Sequence, residues 1–178
     1  RVASKIRDVT VKKHVFKNCL TQNKSTWLRV LSRSKGFVNI TLTMRNGRKL
    51  SFINTHLPFV RPRADTGLSD RMSCLRAIAE SESARSHTTF IAGDLNFRRT
   101  DSYKLPYPLC EAKIKFGHTC KMMVPRKKGE RAYDDSRPRG HCDRILYSCK
   151  DRVKAKKYYS TDLNKDTDHR GVIGVFDV

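Results

Sequence analysis

A short apolar run, from His87 to Ala92, ends abruptly at Gly93-Asp94-Leu95-Asn96. An apolar run of this length before a glycine is typical of a buried strand whose backbone turns at the glycine. Such a strand places a carboxylate and an amide, Asp94 and Asn96, at one end of a sheet. The carboxylate can take a proton from water, and the amide can donate to a phosphoryl oxygen. The same residues are also common in ordinary turns, so this run alone does not decide between a site and a turn.

Apolar and alternating patterns predict further strands around this one. The clearest unit is a hairpin from Gly36 to His56, because Asn46-Gly47 is the strongest short signal for a tight turn between strands. A helix is predicted over Asp70 to Ser83, with Ser69 as its cap. We found no internal repeat and no linker that would divide the chain. The other predicted strands are Val9–Phe16, Thr26–Leu31, Ile145–Ser148, Val153–Ser160 and Val172–Phe176, and residues 100–139 are predicted to be rich in loops.

The net charge is +21, from 38 basic and 17 acidic residues. A balance this basic predicts a polyanionic partner, which could be nucleic acid, an anionic membrane surface or a polyphosphorylated substrate. The excess is local, since residues 1–63 hold 15 Lys or Arg and a single acid, Asp8. A generally basic surface is the plainer alternative. The basic residues are scattered and form no RNA-recognition or zinc-finger signature, so the kind of partner stays open.

With 178 residues, of which 38% are hydrophobic, the chain is long enough for one domain with a core. No apolar run approaches the roughly 20 residues of a membrane helix. The six cysteines are irregularly spaced, without a CxxC pair or a secretion signal. We therefore expect free thiols in a reducing compartment and an intracellular, cytoplasmic protein. The chain begins at Arg1 rather than Met, which suggests a fragment or a processed product.

Polar candidates for a site stand at the ends of several predicted strands. His56 closes one strand, and Asp94 and Asn96 close another. Asp143 opens a third, and Asp168-His169 precedes the last. Strand ends that meet on one rim of a sheet can assemble a site from residues far apart in sequence. Each residue taken alone has a plainer explanation, such as a structural histidine, a surface salt bridge or a loop, but their joint arrangement favours a site.

Four stretches, in this order, resemble the endonuclease/exonuclease/phosphatase superfamily, whose fold is that of DNase I. The Gly-Asp-x-Asn-Phe-Arg and Cys-Asp-Arg-Ile-Leu forms are similar to the inositol polyphosphate 5-phosphatase branch, as is Ser34-Lys35-Gly36 before the hairpin. Nuclease members usually carry other residues after the Asn and after the Asp. The four stretches are Asn54-Thr55-His56-Leu57, Phe90 to Arg98, His141 to Leu146 and Thr167 to Arg170.

The resemblance implies a four-layer α/β sandwich with two central sheets, present here as a single partial domain over residues 1–178. It also implies catalytic roles. Asp94 would activate water, Asn96 would help to hold the phosphoryl group, and His56 would stabilise the transition state from one side.

The remaining implied roles concern phosphate and metal. His169 would face the scissile phosphate, oriented by Asp143. Asp168 would help to ligate Mg²⁺, and Arg98 and Arg144 would contact phosphate. These roles agree with the chemistry, because a hard cation prefers oxygen ligands and phosphoryl transfer depends on positioning and charge neutralisation.

The chain also departs from the phosphatase pattern. Ala92 stands where the pattern has Trp, Arg139 and His141 where it has Pro and an aromatic residue, and Gly171 where it has Pro. These changes bear on lipid-headgroup specificity more than on the fold. The family's metal-binding Asn and Glu have no counterpart, because the first glutamate of the chain is Glu80 in the predicted helix. The resemblance covers the second half to two thirds of the domain, which predicts weaker metal binding and an open sheet edge or exposed core.

Three functions remain open from the sequence. The first is a Mg²⁺-dependent phosphatase acting on phosphoinositides or inositol polyphosphates, with the rest of the fold removed, disordered or supplied by another chain. The second is a non-catalytic structural or nucleic-acid-binding module within a larger assembly, which the basic residues 1–63 and the missing glutamate favour. The third is a nuclease of the same superfamily, which the charge favours and the Phe97-Arg98 and Cys142-Asp143-Arg144 sequences disfavour.

Overall fold

The computed structural model describes residues 3–16, 35–59, 67–98, 101–123, 132–134, 139–162 and 167–178. The predicted strand Thr26–Leu31 lies outside these residues. The described part begins with a 3-10 turn at Ala3–Lys5 and contains strands and two helices. The strands are β1 (Ile6–Val15), β2 (Gly36–Met44), β3 (Lys49–Thr55), β4 (Thr88–Asp94), β5 (Leu109–Glu111), β6 (Asp143–Ser148), β7 (Lys154–Thr161) and β8 (Gly171–Asp177), and the helices are α1 (Leu68–Ala79) and α2 (Glu82–Ser86).

Six of the strands form one mixed sheet in the order β1-β2-β3-β4-β6-β5. The predicted hairpin is confirmed as β2 and β3, and Gly47 at its turn has φ 82°, a left-handed conformation that glycine adopts without strain. Strands β3 and β4 run parallel and are connected through α1 and α2. Their carboxyl ends therefore lie side by side at the same edge of the sheet. Strands β7 and β8 form a separate antiparallel pair.

The single helix predicted over Asp70 to Ser83 is two helices, and Ser69 is not its cap. Helix α1 begins at Leu68, directly after Gly67 in a left-handed conformation. It ends before Ser81, whose backbone is extended and cannot continue a helix. The Ser81 side chain instead accepts from the backbone N–H of Ala84 at 3.3 Å and caps α2. Serine is favoured at such caps because its oxygen satisfies an unpaired N–H of the first turn.

The main hydrophobic core lies between the six-stranded sheet and α1. Ile53 of β3 and Ile91 of β4 are almost inaccessible and belong to one cluster with Leu75 and Ile78 of α1. The connection between the parallel strands is thus fixed by the apolar side of the helix, which places the ends of β3 and β4 next to each other.

Strand β2 turns its polar side chains toward the helices. Asn39 is 3% exposed and Thr43 is 6% exposed, although Ile40 between them is 40% exposed. The amide of Asn39 donates to the hydroxyl of Ser83 at 2.5 Å, which satisfies part of its hydrogen-bonding capacity inside the protein. The alternation of β2 predicts which residues share a face, but the position of the helices decides which face is buried.

The opposite face of the sheet is apolar and only partly covered. Phe176 of β8 lies against it, with its ring 5.1 Å from Phe90 and 5.4 Å from Tyr147. Farther from β8, Phe52 is 42% exposed and Val11 is 57% exposed. The described residues therefore form helices, a large sheet and a two-stranded sheet in layers. The uncovered apolar part corresponds to the exposed core that the sequence predicts.

The prediction of free thiols is wrong for two cysteines. Strand β5 pairs with β6, so Cys110 lies near Cys149, which follows β6, and the two form a disulfide. Spacing could not reveal this pair, because strand pairing brings together two cysteines that are 39 positions apart in the sequence. Disulfides persist in oxidising compartments, which is a reason against the predicted reducing location. Cys74, Cys120 and Cys142 keep buried thiols, and Cys19 lies outside the described residues.

Neither of the two described helices has the length and apolarity needed to cross a membrane.

Candidate active site

The ends of β3, β4 and β6 bring the predicted polar residues together. Asp94 and Asp143 are direct partners in the antiparallel pairing of β4 with β6, so their side chains share one face of the sheet. His56 follows β3, and the backbone N–H of Leu57 donates to the carbonyl of Asp94 at 2.9 Å. As a result, Nε2 of His56 lies 3.5 Å from Oδ2 of Asp94.

Gly93 makes this close approach possible. Its φ of 143° is in a range that other residues rarely adopt. A Cβ atom at this position would lie 1.9 Å from the carbonyl oxygen of Thr55 on the neighbouring strand. The glycine of the Gly-Asp-x-Asn motif is therefore required for β4 to run close enough to β3 to join Asp94 with His56.

His169 lies on the other side of Asp94. Its Nδ1–H donates to Oδ2 of Asp143 at 2.8 Å, and its Nε2 lies 4.0 Å from Oδ2 of Asp94. The hydrogen bond to Asp143 raises the pKa of His169 to about 10, with a further contribution from the Cys120 sulfur and against the effect of burial. A histidine with this pKa is protonated at neutral pH, so a cationic imidazolium faces the Asp94 carboxylate.

Asp94 and His56 have opposite shifts that arise from the same cause. Burial raises the pKa of Asp94, although a hydrogen bond from the backbone of Asn96 acts in the other direction. Burial also lowers the pKa of His56, since it disfavours the charged imidazolium. At neutral pH the cluster thus combines a neutral His56, a charged His169 and a carboxylate of increased basicity between them.

Asn96 serves both as a turn residue and as part of the cluster. It has a left-handed φ of 55°, which asparagine tolerates, and its backbone N–H donates to Oδ1 of Asp94 at 2.9 Å. Its side-chain Nδ2 donates to the carbonyl of Leu57 at 2.9 Å, and its Oδ1 accepts from Nη2 of Arg98 at 3.2 Å. The turn and site interpretations of this motif are therefore compatible.

Arg98 lies next to the cluster and is held by a sulfur atom. Its Nη1 donates to Sγ of Cys120 at 3.2 Å, and its guanidinium lies 4.8 Å from the centre of the Phe59 ring. Hydrogen bonds from Cys142, His169 and Arg98 lower the pKa of the Cys120 thiol, which favours a thiolate. Cys142 directly precedes Asp143 in the sequence. No sequence signal links Cys120 to this site, because its contact with the site depends on a backbone bridge between Cys120 and His169.

The structure does not bring Arg144 to this cluster. Adjacent residues of a strand point to opposite faces, so Arg144 points away from the face that carries Asp143. Its Nη1 donates to Oε2 of Glu111 at 3.1 Å and to the hydroxyl of Tyr103. Its Nε donates to the carbonyl of His141 at 2.7 Å. Arg144 is therefore saturated by protein groups on the far side of the sheet.

The segment predicted to be rich in loops contains Lys121 and, after it, the basic run Arg126-Lys127-Lys128. Those three residues lie outside the described part of the chain. Lys121 itself is half-buried and forms an ion pair with the carboxylate of Asp168. Oδ1 of Asp168 also lies 3.9 Å from Nε2 of His169, which places this predicted metal ligand at the margin of the cluster.

Comparison with known proteins places the chain in a family. Residues 3–106, more than half of the sequence, match the endonuclease/exonuclease/phosphatase family 2. The chain belongs to the endonuclease/exonuclease/phosphatase family. The resemblance of its motifs to that superfamily is thereby confirmed. No curated protein sequence matches the chain.

Solved structures of this fold support the same placement. The inositol polyphosphate 5-phosphatase domain of SPsynaptojanin, bound to inositol (1,4)-bisphosphate and calcium, superposes with a TM-score of 0.70 at 22% identity over 98% of this chain. TDP2 of D. rerio, bound to a single-strand DNA product, gives 0.64 at 18% identity over 99% of this chain. Cimex nitrophorin, in a ferrous NO complex, gives 0.64 at 17% identity over 98% of this chain.

These three structures show the fold and leave the function open. A phosphatase domain, a DNA-bound protein and a nitric-oxide-binding protein share it, which illustrates that function resides in a site rather than in a fold. The chain spans 55% of the SPsynaptojanin domain, 70% of TDP2 and 65% of the nitrophorin. The α/β fold of DNase I type is confirmed, and the chain covers part of the length of these relatives.

Members of the endonuclease/exonuclease/phosphatase family generally use divalent metal ions. Among the residues that the structure describes, no three His, Cys, Asp or Glu side chains gather as a metal site. Mg²⁺, however, is commonly held by one or two carboxylates together with water and phosphate oxygens. Asp94 and Asp168 each have a carboxylate oxygen near Nε2 of His169, at 4.0 and 3.9 Å, and supply hard oxygen donors of this kind. The donor set fits a divalent cation held with few protein ligands, in competition with Lys121.

Proposed function

We propose that this chain carries the catalytic cluster of a Mg²⁺-dependent phosphoester hydrolase that acts on inositol polyphosphates or phosphoinositides. The observation that carries the proposal is the position of Asp94 between two imidazoles. His56 lies 3.5 Å from its carboxylate on one side, and His169, paired with Asp143 at 2.8 Å, lies 4.0 Å away on the other. An arrangement of one base and a charged donor, each oriented by a partner, is suited to phosphoryl transfer.

Asp94 takes the proton of the attacking water in this proposal. Its partly buried carboxylate has a raised pKa, so it accepts a proton more readily than an exposed aspartate does. The backbone N–H of Asn96 holds one carboxylate oxygen, which leaves Oδ2 toward the two histidines. The orientation of the base is therefore set by the same turn that ends β4.

His169 stabilises the charge that develops on the phosphoryl oxygens. Asp143 fixes the ring and keeps it protonated, so the imidazolium places a positive charge beside Asp94, where the phosphoryl group would lie. Asn96 is buried, and its backbone N–H holds the Asp94 carboxylate. Its side chain is fixed by Leu57 and Arg98. Donors that are already in place stabilise a transition state without the cost of rearrangement.

Mg²⁺, when bound near Asp168, would neutralise charge on a phosphoryl oxygen. A phosphorylated inositol is favoured as substrate by two similarities: the motif forms of the phosphatase branch and the SPsynaptojanin domain bound to inositol (1,4)-bisphosphate. The net charge of +21 suits any polyanionic substrate. The intracellular location remains a prediction, which the disulfide makes worth testing directly.

The test measures hydrolysis of a soluble inositol polyphosphate, with and without Mg²⁺, by the amount of inorganic phosphate released. Asp94→Asn should abolish turnover because the base is lost and the shape is kept. Asp8→Asn on the exposed strand β1 removes an equal charge far from the cluster and should leave turnover unchanged. Equal rates for Asp94→Asn and the parent protein would rule out this assignment.

A second candidate is a nucleic-acid-binding or nucleic-acid-cleaving protein of this fold. The specific observation is the local charge, 15 basic residues and one acid over residues 1–63. Basic side chains bind the phosphates of a nucleic acid without regard to its base sequence, and this binding weakens steeply as the salt concentration rises. Tight, salt-dependent binding of a single-stranded oligonucleotide without hydrolysis of inositol phosphates would favour this candidate. Mg²⁺-dependent cleavage of that oligonucleotide would favour a nuclease.

A further inference from the structure

A cavity of about 310 Å³ opens beside His56. Its volume is within the range of small-ligand pockets, roughly 300–1,000 Å³. Its floor is a row of three residues in register across β1, β2 and β3, namely Lys13, Val38 and Asn54. Lys35, which precedes β2, lines the cavity near His56. The candidate active site therefore continues into a pocket along the sheet.

The charge of this pocket is of one sign. Lys13 and Lys35 line it, and no acidic residue from the described part of the chain does. Partial burial lowers the pKa of Lys35 and the field of Asp94 raises it, so its ammonium group is close enough to interact with the catalytic carboxylate. The amide of Asn54 adds a polar group on the floor. These are the groups that bind an anion carrying several oxygens.

The size of the pocket separates Lys13 from the reacting atoms. Neighbouring strands lie about 4.8 Å apart, so the backbone of Lys13 lies roughly 10 Å across the sheet from β3. A phosphate held at Asp94 is therefore out of direct contact with the backbone of Lys13. A second phosphate on the same small molecule would extend toward it through the cavity.

We propose that Lys13 and Lys35 form a second anion subsite that binds another phosphate group of the substrate whose scissile phosphate lies at Asp94. This inference rests on the proposed function and specifies its substrate class. The enzyme should prefer inositols that carry two or more phosphates over simple monophosphate esters. The preference comes from Lys13 in particular, because no catalytic role requires this residue.

Strand β1 supplies a matched control for this subsite. Lys12 and Lys13 are consecutive, exposed and equally charged, but they point to opposite faces of the strand. Lys13 lines the pocket and Lys12 does not. Replacing either removes one positive charge from the same place in the sequence, so a difference between the two variants reports the pocket rather than the overall charge.

The experiment compares Lys13→Met and Lys12→Met with the parent protein on inositol bisphosphate and on para-nitrophenyl phosphate. Lys13→Met should raise KM for the bisphosphate about tenfold, the effect of one lost charge-assisted hydrogen bond, with kcat unchanged. It should leave both constants for para-nitrophenyl phosphate unchanged. Lys12→Met should change neither substrate by more than about twofold, as expected for an isolated surface charge.

Calorimetric binding of inositol bisphosphate to the same three proteins separates this inference from the proposed function. Binding that weakens in Lys13→Met alone supports the subsite even if no hydrolysis occurs, in which case the proposed phosphatase activity fails by itself. Hydrolysis with equal constants for both variants overturns the subsite and keeps the activity. Absence of inositol bisphosphate binding by the parent protein also overturns the subsite. A further outcome would overturn the assignment to a small substrate. It is a single-stranded oligonucleotide whose binding depends on Lys13 and which displaces inositol bisphosphate at a concentration lower than that of the bisphosphate.

Discussion

Asp143 and Arg144 are consecutive residues of β6, yet they take part in two very different clusters. Asp143 faces His169 and Asp94, in a partly open group of charges whose pKa values are shifted. Arg144 faces Glu111 and Tyr103 on the other side of the sheet. In the first cluster the Asp94 carboxylate lies 3.5 and 4.0 Å from two imidazoles, whereas in the second the Arg144 guanidinium donates directly to protein oxygens.

The contrast separates a site from a structural network by physical criteria. In the Arg144 network the guanidinium also lies 5.2 Å from the Phe97 ring, and Glu111 accepts from Tyr158 at 3.0 Å. Every strong donor there has a protein acceptor nearby. In the Asp94 cluster two histidines share one carboxylate at distances longer than a hydrogen bond. Groups that are held apart in this way can close on a ligand.

The largest effect is expected from the disulfide that anchors the Arg144 network. Cys110 precedes Glu111 on β5, and its bond to Cys149 closes a loop of 39 residues. Loss of such a loop constraint costs about 4 kcal/mol in the chain-entropy account. The double variant Cys110→Ala and Cys149→Ala should lower the free energy of unfolding by this order in urea denaturation. Reductant should lower the free energy of unfolding of the parent protein by the same order and should leave that of the variant unchanged. An unchanged urea midpoint in reductant would mean that the pair contributes no stability.

Arg144→Met should come next, with a loss of about 3 kcal/mol in the free energy of unfolding, because it leaves the Glu111 carboxylate buried without its charge partner. Arg76→Met on the exposed side of α1 is the control and should change stability by less than about 0.5 kcal/mol. If Arg144→Met keeps its stability and instead raises KM for substrate, Arg144 contacts phosphate and the distinction between the two clusters fails.

Asp143→Asn should differ from Arg144→Met in its large effect on rate, although loss of the pairing with His169 also lowers stability at neutral pH. We expect kcat to fall about a hundredfold, equivalent to about 2.7 kcal/mol, since His169 loses the group that orients and charges it. The pKa of His169, followed by NMR, should fall toward its ordinary value of 6.5 from about 10. A pKa that stays near 10 would show that Asp143 is not its cause.

The raised pKa of His169 makes the stability of the fold depend on pH. The folded pKa of His169 lies above the unfolded value, so its pairing with Asp143 stabilises the fold fully below about pH 6.5. This contribution should be lost progressively as the pH rises through 10. The parent protein should therefore lose more stability between pH 6.5 and 10 than Asp143→Asn does in parallel urea titrations. Parallel curves for the two proteins would contradict the assignment.

Cys120→Ala should give the smallest effect, about a tenfold loss in kcat, equivalent to about 1.4 kcal/mol. The sulfur accepts from Arg98, which orients Asn96, so Cys120 acts as a positioning residue. Cys120→Ser should recover part of the rate because its oxygen can also accept from Arg98. Stability and KM should differ little between the two variants, which separates positioning from packing. If Ala and Ser variants behave alike, the contact with Arg98 has no role in catalysis.

The sequence predicted the strands and the ends at which the site lies, because these depend on local pattern. Alternation located β1, β2 and β3, and Asn46-Gly47 located their turn. The strand that ends in Gly93-Asp94 was predicted from one apolar run. Helix α2 was missed because the cap at Ser81 interrupts a pattern that otherwise continues through both helices. Strand β5 was missed because three residues are too few to show a period.

The sequence also contained a signal that was not used for Arg144. Since neighbours on a strand point to opposite faces, Asp143 and Arg144 could not both face one phosphate from β6. The motif suggested that Asp143 orients His169 and that Arg144 contacts phosphate at the same site, and the period of two argued against this combination. A prediction for adjacent residues on a strand therefore needs the alternation as well as the motif.

By itself, the sequence determined which residues end the strands, and so that His56, Asp94, Asp143 and His169 share one rim. The strand ends follow from apolar pattern and turn chemistry, which the residues specify locally, whereas strand order and parallel pairing join segments far apart in the sequence. Only the tertiary structure decided that Cys120 holds Arg98, that Lys121 binds Asp168 and that Cys110 meets Cys149. Each of those contacts joins segments whose separation in sequence carries no periodic signal, so they exist only once the sheet has paired and the loops have packed against its end.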